Sequence, residues 1–248
     1  MAVQILNTII GKKIVCIQLL IAFFMSDSAF ALSFSSVKTS LARSVYGTKG
    51  QTFYCDCSYQ AKSIKSKKCK ILTKKLKKRQ KRLEWEHIVP AHAFGFSFEE
   101  WRDHKKVCGK KSKSPRKCAR KKNKLFKQME GNIFNLVPSI GAVNGLRSNY
   151  SFVDSVSKEF ELCKDGLSVN KRKATPSDRV KGDIARIYIY MNERYPGRGI
   201  IGKKKMAMFQ QWNISDPIDE NECQVYLKKK KVQLEVIPMM EKVCVVKK

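Results

Sequence analysis

The sequence predicts a single folded domain of the α+β class, stabilised by disulfide bonds. Hydrophobic residues make up 43% of its 248 residues, which is typical of a chain that buries a core rather than of a disordered one. Apolar residues recur at helical spacing in some segments and form short extended runs in others. Because no internal repeat or clear linker divides the sequence, we expect one domain from residue 32 to residue 248.

The charge of the chain is its strongest compositional signal. Lys and Arg number 51 and Asp and Glu number 21, which gives a formal net charge of +30. So large a charge repels itself in a compact protein and is typical of proteins that bind a polyanion. Nucleic acid is the first candidate partner, and an anionic lipid or lipopolysaccharide is the second. The basic segments 62–82 and 105–127 each carry 12 basic residues and no acidic one.

The first 31 residues have the pattern of a secretory signal peptide. Lys12 and Lys13 precede an apolar run that ends at Met25, and Ala29-Phe30-Ala31 supplies the small residues that a signal peptidase recognises. The run is shorter than the roughly 20 residues that span a bilayer. We therefore predict cleavage after Ala31, no membrane anchor in the mature chain, and a periplasmic or secreted protein.

Eight cysteines remain after the predicted cleavage: Cys55, Cys57, Cys69, Cys108, Cys118, Cys163, Cys223 and Cys244. An even number in an oxidising compartment predicts up to four disulfide bonds, and the sequence leaves their pairing open. A structural zinc site is the alternative. Neither Cys55 with Cys57 nor Cys108 with Cys118 has the two-residue spacer of a zinc knuckle, so disulfides are favoured.

Hydrophobic periodicity predicts helices and strands along the mature chain. Residues at helical spacing predict helices over about 37–45, 125–131, 179–194 and 206–212. Extended patterns predict short strands over about 54–59, 83–89 and 232–236, and Pro90 ends the second of them. The segment from 94 to 127 is predicted to be mostly loop. The segment 132–150, with four Asn, is either a plain loop or a ligand-binding segment.

The strand that ends at Pro90 carries the residues with the clearest chemistry. Glu84, Glu86 and His87 follow directly on the first basic segment. A carboxylate beside an imidazole is the minimum for a metal-assisted hydrolytic site, and surrounding Lys and Arg would hold a polyanionic substrate. A hard cation such as Mg²⁺ takes oxygen ligands, so Glu86 and an amide such as Asn135 are suitable ligands and His87 is left as a base. These residues indicate a nuclease active centre.

Three blocks of sequence carry a resemblance to a known family. The first is Glu84-Trp85-Glu86-His87-Ile88-Val89-Pro90-Ala91, followed by Phe94-Gly95. The second runs from Asn135-Leu136 through Asn144-Gly145 to Arg147-Ser148-Asn149, and the third comprises segment 182–191 with Trp212-Asn213. In this order they resemble the endonuclease I family of bacterial periplasmic and secreted nonspecific nucleases.

The resemblance implies a ββα-metal (His-Me finger) core and a Mg²⁺-dependent endonuclease, with Ca²⁺ or Mn²⁺ as substitute cations. The implied substrates are double- and single-stranded DNA and also RNA, and we expect the protein to be a monomer. Carried onto the matching positions, His87 is the general base, Glu86 and Asn135 are the metal ligands, and Arg116 stabilises the product phosphate. A different count along the chain would give that last role to Lys106.

Six residues in and around these blocks are expected to contact nucleic acid: Lys78, Arg82, Lys106, Asn144, Arg147 and Asn149. Three positions depart from the family pattern, because Phe134 replaces a usual His and Asn132 and Leu146 replace usual acidic residues. These changes remove negative charge near the expected metal. The alternative function is therefore a noncatalytic cationic protein that binds nucleic acid or an anionic envelope surface.

Overall fold

The computed structural model describes residues 32–65, 69, 76–156 and 161–245. The predicted signal peptide, residues 1–31, lies outside the described residues, as does the middle of the basic segment 62–82. Residues 31–248 cluster as one compact unit. Within the described part of the chain, no helix is both long and apolar enough to cross a membrane.

An N-terminal helix begins the described chain, as predicted. Helix α1 (Phe34–Ser40) begins at Ser33, whose hydroxyl caps the helix by accepting a hydrogen bond from the Ser36 amide. A π-helical turn, Leu41–Val45, continues it. Val37 and its neighbours at four-residue spacing, Leu41 and Val45, are buried, so one face of this helix packs on the core.

A small antiparallel sheet follows, in the order β1 (Lys49–Gln51), β2 (Ser58–Gln60) and β3 (Ser63–Ile64). Disulfides Cys55–Cys163 and Cys57–Cys69 hold the connection between its first two strands. The predicted extended segment at 54–59 is therefore only partly a strand. Its first half is a turn that the disulfides tie to the rest of the fold.

Helix α2 (Lys77–Gln80) leads into strand β4 (Leu83–His87), which carries the predicted site and ends close to Pro90 as expected. The chain that follows is helical rather than mostly loop, which corrects our prediction. It forms α3 (Ala91–Gly95), α4 (Glu99–Arg102), α5 (His104–Cys108), α6 (Pro115–Lys122) and α7 (Lys124–Glu130). Helix α7 confirms the helix predicted over about 125–131. Helices α3 to α6 are short, so each buries too few apolar residues to show a helical period in the sequence.

The chain then returns through a 3₁₀ turn, Ile133–Asn135, into strand β5 (Leu136–Ile140) and helix α8 (Gly141–Arg147). Strand β5 pairs antiparallel with β4, with Glu86 opposite Val137 and His87 opposite Leu136. The unit β4-β5-α8 is a ββα motif, with the helices α3 to α7 inserted between its strands. The Asn-rich segment is thus not a plain loop, and the α+β fold class is confirmed.

A third sheet has the strand order β6-β9-β8-β7, and its strands are β6 (Ser151–Phe152), β7 (Glu161–Cys163), β8 (Leu167–Asn170) and β9 (Lys173–Pro176). Strands β6 and β9 are parallel, and the other pairs are antiparallel. Our reading of the sequence did not predict this sheet.

The C-terminal part is helical. Helix α9 (Lys181–Arg194), preceded by a 3₁₀ turn at Asp178–Val180, confirms the predicted core helix, and α10 (Lys203–Ser215) confirms the next one. Helices α11 (Glu220–Gln233) and α12 (Pro238–Cys244) follow. The strand predicted at 232–236 is wrong, because its first residues form the last turn of α11, which Asp219 caps at its other end.

All eight cysteines of the predicted mature chain are paired. Besides the two bonds above, Cys108–Cys118 joins α5 to α6, and Cys223–Cys244 joins α11 to α12. The predicted disulfide stabilisation is confirmed, and none of these eight cysteines keeps a thiolate for a structural zinc site.

Candidate active site

His87 lies at the end of β4 and is almost buried, with 8% of its surface exposed. Its Nε2 lies 2.8 Å from the backbone oxygen of Glu130. Because a carbonyl only accepts hydrogen bonds, Nε2 carries the proton and Nδ1 of the neutral ring keeps a lone pair. Burial, aided by the positive charge of Arg116, lowers the pKa of His87 to about 4. The imidazole is therefore neutral at physiological pH, as a general base must be.

Glu130 also holds an arginine pair through its side chain, which is fully buried. Arg116 Nε and Arg120 Nε each lie 2.5 Å from one of its carboxylate oxygens, and Arg120 Nη2 donates at 2.7 Å. Burial acts to raise the pKa of Glu130, but the hydrogen bonds and charges of both arginines outweigh it and hold that pKa below its ordinary value. The same residue thus orients His87 through its backbone and Arg116 through its carboxylate.

Phe34, on the first turn of α1, contacts both His87 and Arg116. Its ring centroid lies 4.9 Å from that of His87, and the Arg116 guanidinium carbon lies 5.6 Å from it. Helix α1 therefore forms one wall of the site. Our sequence reasoning missed Phe34, because nothing in its local sequence relates it to a histidine more than fifty residues away.

Glu86 lies next to His87 and is buried, with 3% of its surface exposed. Arg147 Nη1 lies 3.1 Å from Glu86 Oε1, which makes an ion pair without the geometry of a hydrogen bond. Burial raises the pKa of Glu86 to about 7, although the charge of Arg147 opposes that shift. Among the described residues, Glu86 Oε1 has no hydrogen-bond donor. Arg147 is thus its ion-pair partner, and a buried carboxylate oxygen whose hydrogen-bonding capacity is not filled can also bind a metal cation.

Asn135 is fully buried beyond the end of the β4–β5 ladder. Its amide bonds the backbone of Val89 in both directions: Oδ1 accepts from the Val89 amide at 2.7 Å, and Nδ2 donates to the Val89 oxygen at 2.9 Å. One acceptor site on Oδ1 remains. In the described ranges, no group of three or more His, Cys, Asp or Glu could hold a metal ion. Glu86 and Asn135 nevertheless each keep a side-chain oxygen with spare acceptor capacity, which is the type of ligand that a hard cation takes.

Glu86 and His87 line a cleft of about 830 Å³ whose walls are strongly basic. The cationic side chains that line it are Lys38, Arg43, Lys62, Arg79, Arg82 and Arg116. Glu84 also lines the cleft but is neutralised, because Arg79 pairs with it through two hydrogen bonds and Arg82 lies 3.5 Å away. Asn135 does not line this cleft. The walls can hold several phosphates of a polyanion beside His87.

The residues expected to contact nucleic acid are placed unevenly around the cleft. Arg82 and Asn144 line it, and Asn144 Nδ2 donates to Glu84 at 3.1 Å. Lys78 is exposed on α2, and Asn149 follows Ser148, which lines the cleft. Lys106 does not line the cleft, and its ammonium pairs with Glu99 at 3.5 Å. Of the two residues expected as alternatives for the phosphate-stabilising role, Arg116 lines the cleft and Lys106 does not.

Arg147 is placed inside the protein, contrary to our expectation that it contacts nucleic acid. None of its surface is exposed. It donates to the backbone oxygens of His87 and Ile88, at 3.0 and 2.6 Å, in addition to its pair with Glu86. A buried cation near the end of β4 donates hydrogen bonds to carbonyls there and compensates the charge of a buried carboxylate. Arg147 therefore stabilises the end of the strand that carries Glu86 and His87.

Two further residues of the site, Glu130 and Arg120, were also missed. The one available signal was that Glu130 is the first acidic residue after the basic segment 105–127. A lone acid at the end of a long cationic run is placed to pair with it, but which arginines it meets depends on the packing of α6 against α7.

Comparison with known proteins agrees with the three sequence blocks. The family model described as Endonuclease I matches residues 26–235. A periplasmic deoxyribonuclease of Aeromonas hydrophila is 34% identical over 222 residues, covering 86% of this chain and 87% of that protein. An extracellular deoxyribonuclease of the same species is 34% identical over 90% of this chain and 96% of its own length. Endonuclease-1 of Buchnera aphidicola subsp. Acyrthosiphon pisum is 30% identical over 86% of this chain and 84% of its own length. The chain therefore belongs to the endonuclease I family and is a nuclease.

Proposed function

We propose that the protein is a Mg²⁺-dependent endonuclease that hydrolyses phosphodiester bonds of DNA without sequence specificity. The observation that supports this proposal concerns His87, which is neutral and buried and is oriented by Glu130. His87 lines a cleft whose walls, among the described residues, also contain six Lys and Arg side chains. The names of the relatives, which are deoxyribonucleases, support DNA as the substrate. Base edges are not needed for such binding, because the walls offer charges for phosphate rather than a pattern for bases.

In the proposed reaction, His87 Nδ1 takes a proton from the attacking water while Nε2 stays bonded to Glu130. The Arg116 guanidinium, held by the Glu130 carboxylate, stabilises the negative charge that develops on the phosphate. Glu86 and Asn135 would hold the cation through oxygen ligands. When bound, Mg²⁺ supplies Lewis-acid stabilisation of the scissile phosphate and of the leaving oxygen.

The remaining expectations belong to the same proposal. Single- and double-stranded DNA would both fit a site that grips phosphates, RNA is a further substrate, and Ca²⁺ or Mn²⁺ would substitute for Mg²⁺. Four disulfides and the periplasmic and extracellular relatives support export after cleavage of residues 1–31. We propose a monomer that acts in the periplasm or outside the cell.

Plasmid cleavage by the purified mature protein tests this function. We expect cleavage with Mg²⁺, none after EDTA, and a loss of about 10²–10⁴-fold in rate for His87→Ala, because general-base catalysis contributes about that much. His87→Ala should still bind DNA. His92→Ala is the matched control, since His92 is exposed and does not line the cleft.

An intact plasmid in the presence of Mg²⁺, under conditions that keep the disulfides oxidised, would reject the proposal. Equal behaviour of His87→Ala and the wild type, with binding indifferent to Mg²⁺, would instead favour a noncatalytic cationic binder of nucleic acid or of an envelope surface.

A further inference from the structure

Lys229, on α11, is a buried cation outside the proposed reaction. It belongs to the run Lys228–Lys231, in which Lys228 and Lys231 are exposed, but only 4% of Lys229 is exposed. Burial lowers the pKa of Lys229 to about 7, against the attraction of Asp183 and Glu222. Burying an ammonium is costly unless its protons find acceptors. The usual role of a basic residue on a solvated helix face therefore does not explain why Lys229 is buried.

The acceptors of Lys229 lie on either side of Asn135. Nζ donates to the Leu136 oxygen at 3.0 Å and to the Phe134 oxygen at 3.4 Å. Nζ also lies 5.5 Å from the centroid of the Tyr46 ring. No carboxylate of a described residue lies within ion-pair distance of Nζ, so its short-range partners are backbone carbonyls and this ring.

Gln233, four residues after Lys229 on α11, binds the other end of the 3₁₀ turn Ile133–Asn135. Its Oε1 accepts a hydrogen bond from the Ile133 amide at 2.7 Å. Two side chains four residues apart on one helix face thus fix three backbone groups of the segment that carries Asn135. The Asn135 side-chain amide is also bonded to the backbone of Val89, two residues beyond β4, so Asn135 is held by the segment after β4 and its neighbours are held by α11.

Helix α11 is itself well anchored against the core. The Glu222 carboxylate accepts hydrogen bonds from Arg186 Nε and Nη2 at 2.7 and 2.5 Å. Arg186 lies on α9 and is only 2% exposed. Because α11 is fixed in this way, the hydrogen bonds from Lys229 can hold the 3₁₀ turn in place. A lysine that extended into solvent could not do this.

We infer that Lys229 is a positioning residue for metal binding, which acts by holding the backbone on both sides of Asn135. The inference rests on the proposed role of Asn135 as a ligand. Support of this kind behind a metal ligand typically contributes about 10–100-fold to metal affinity. Lys229 does so from a helix far along the chain, without touching substrate.

Titration of the purified mature protein with Mn²⁺, in the absence of DNA, tests the inference. We expect Lys229→Met to raise the dissociation constant for Mn²⁺ by about 10–100-fold, and Lys229→Arg to restore part of the affinity because it can donate to both carbonyls. Lys231→Met is the matched control: it removes the same charge from an exposed position of the same helix and should bind Mn²⁺ as the wild type does. If Lys229→Met fails to fold, Lys229→Gln replaces it, since its amide NH2 group can still donate hydrogen bonds but carries no charge.

A merely structural role would lower thermal stability without this pattern. Our inference further expects a lower kcat at fixed Mg²⁺ with an unchanged KM for DNA, and recovery at high Mg²⁺. Equal Mn²⁺ affinity in folded Lys229→Met and wild type would overturn the inference and leave the proposed function standing. Absence of Mn²⁺ binding by the wild type itself would instead reject the proposed metal site, and the inference with it.

Discussion

Arg147 shows how one residue can be recognised in the sequence and still be misassigned. It lies in a block that resembles a nuclease signature, and a basic residue in such a block suggests a phosphate contact. The structure instead gives it two backbone carbonyls and the Glu86 carboxylate as partners, with no exposed surface. Its charge stabilises the end of β4, where both Glu86 and His87 must be held.

Arg147→Met should destabilise the protein by about 3–5 kcal/mol, because it leaves Glu86 as a buried charge without its partner. Urea denaturation of the oxidised protein measures this loss. Arg82→Met, at an exposed side chain, should change stability by no more than about 0.5 kcal/mol.

The double variant Glu86→Gln/Arg147→Met separates the two possible roles of Arg147. Removing the carboxylate as well should recover part of the lost stability, since no uncompensated charge remains. Full stability of the single variant, together with weaker DNA binding, would return Arg147 to the role of a phosphate contact.

At the scale of elements, the position of Arg116 depends on a short helix with little apolar surface. Helix α6 begins at Pro115, and the side chain of Ser114 caps its first turn. Cys118, on the same helix, is bonded to Cys108 of α5. Arg116 lies two residues before that bond, so the disulfide restricts the part of the chain that presents the guanidinium to the cleft.

Cys108→Ser/Cys118→Ser should therefore lower kcat, because Arg116 loses part of its orientation, and should also cost roughly 2–4 kcal/mol of stability. The matched control is Cys57→Ser/Cys69→Ser, because its sequence separation is 12 and that of the first pair is 10. The control should lose similar stability and keep its turnover at a temperature where both proteins are folded. Equal turnover in both double variants would show that the Cys108–Cys118 bond has no specific effect on the action of Arg116.

At the scale of the whole molecule, the formal net charge of +30 bears on the proposed function mainly where basic side chains are grouped together. Many of the basic residues are exposed on helices, whereas six of those described line the cleft beside His87. The rest raise the general attraction to a polyanion, and the six would place it against the proposed catalytic residues.

Binding of duplex DNA by the inactive His87→Ala protein should weaken steeply with salt. If all six cleft cations meet phosphates, the slope of log K against log salt concentration should approach about −5, since each contact contributes about −0.9. Arg82→Gln should reduce the slope by about one unit. Lys106→Gln should leave it unchanged because Lys106 does not line the cleft, and an equal effect of the two variants would show that the whole basic surface binds.

Elements with a strong local signal were predicted well. Strand β4, whose end lies just before Pro90, and the helices α1, α9 and α10 follow from apolar spacing and stop residues. Helix α7 confirms the helix predicted over about 125–131. Helices α3 to α6 were not predicted, because their stability comes from the packing of a few aromatic residues and from Cys108–Cys118 rather than from periodicity. The end of α11 was mistaken for a strand because apolar and polar residues alternate from Val232 to Val236, as they do in a strand. The cap at Asp219 and the contacts of Lys229 stabilise a helix there instead.

The sequence by itself determined the family, the nuclease class, the disulfide content and the catalytic candidates Glu86, His87, Asn135 and Arg116, because these depend on residue types in a specific order. Only the tertiary structure decided which charges face the substrate. Arg147 and Lys229 are buried while Arg82 and Arg116 line the cleft, and all four are simply basic residues in the sequence. The physical reason is that burial and pairing are set by contacts between segments 40 to 100 residues apart, such as Lys229 with Leu136 and Phe34 with His87, which no local pattern records.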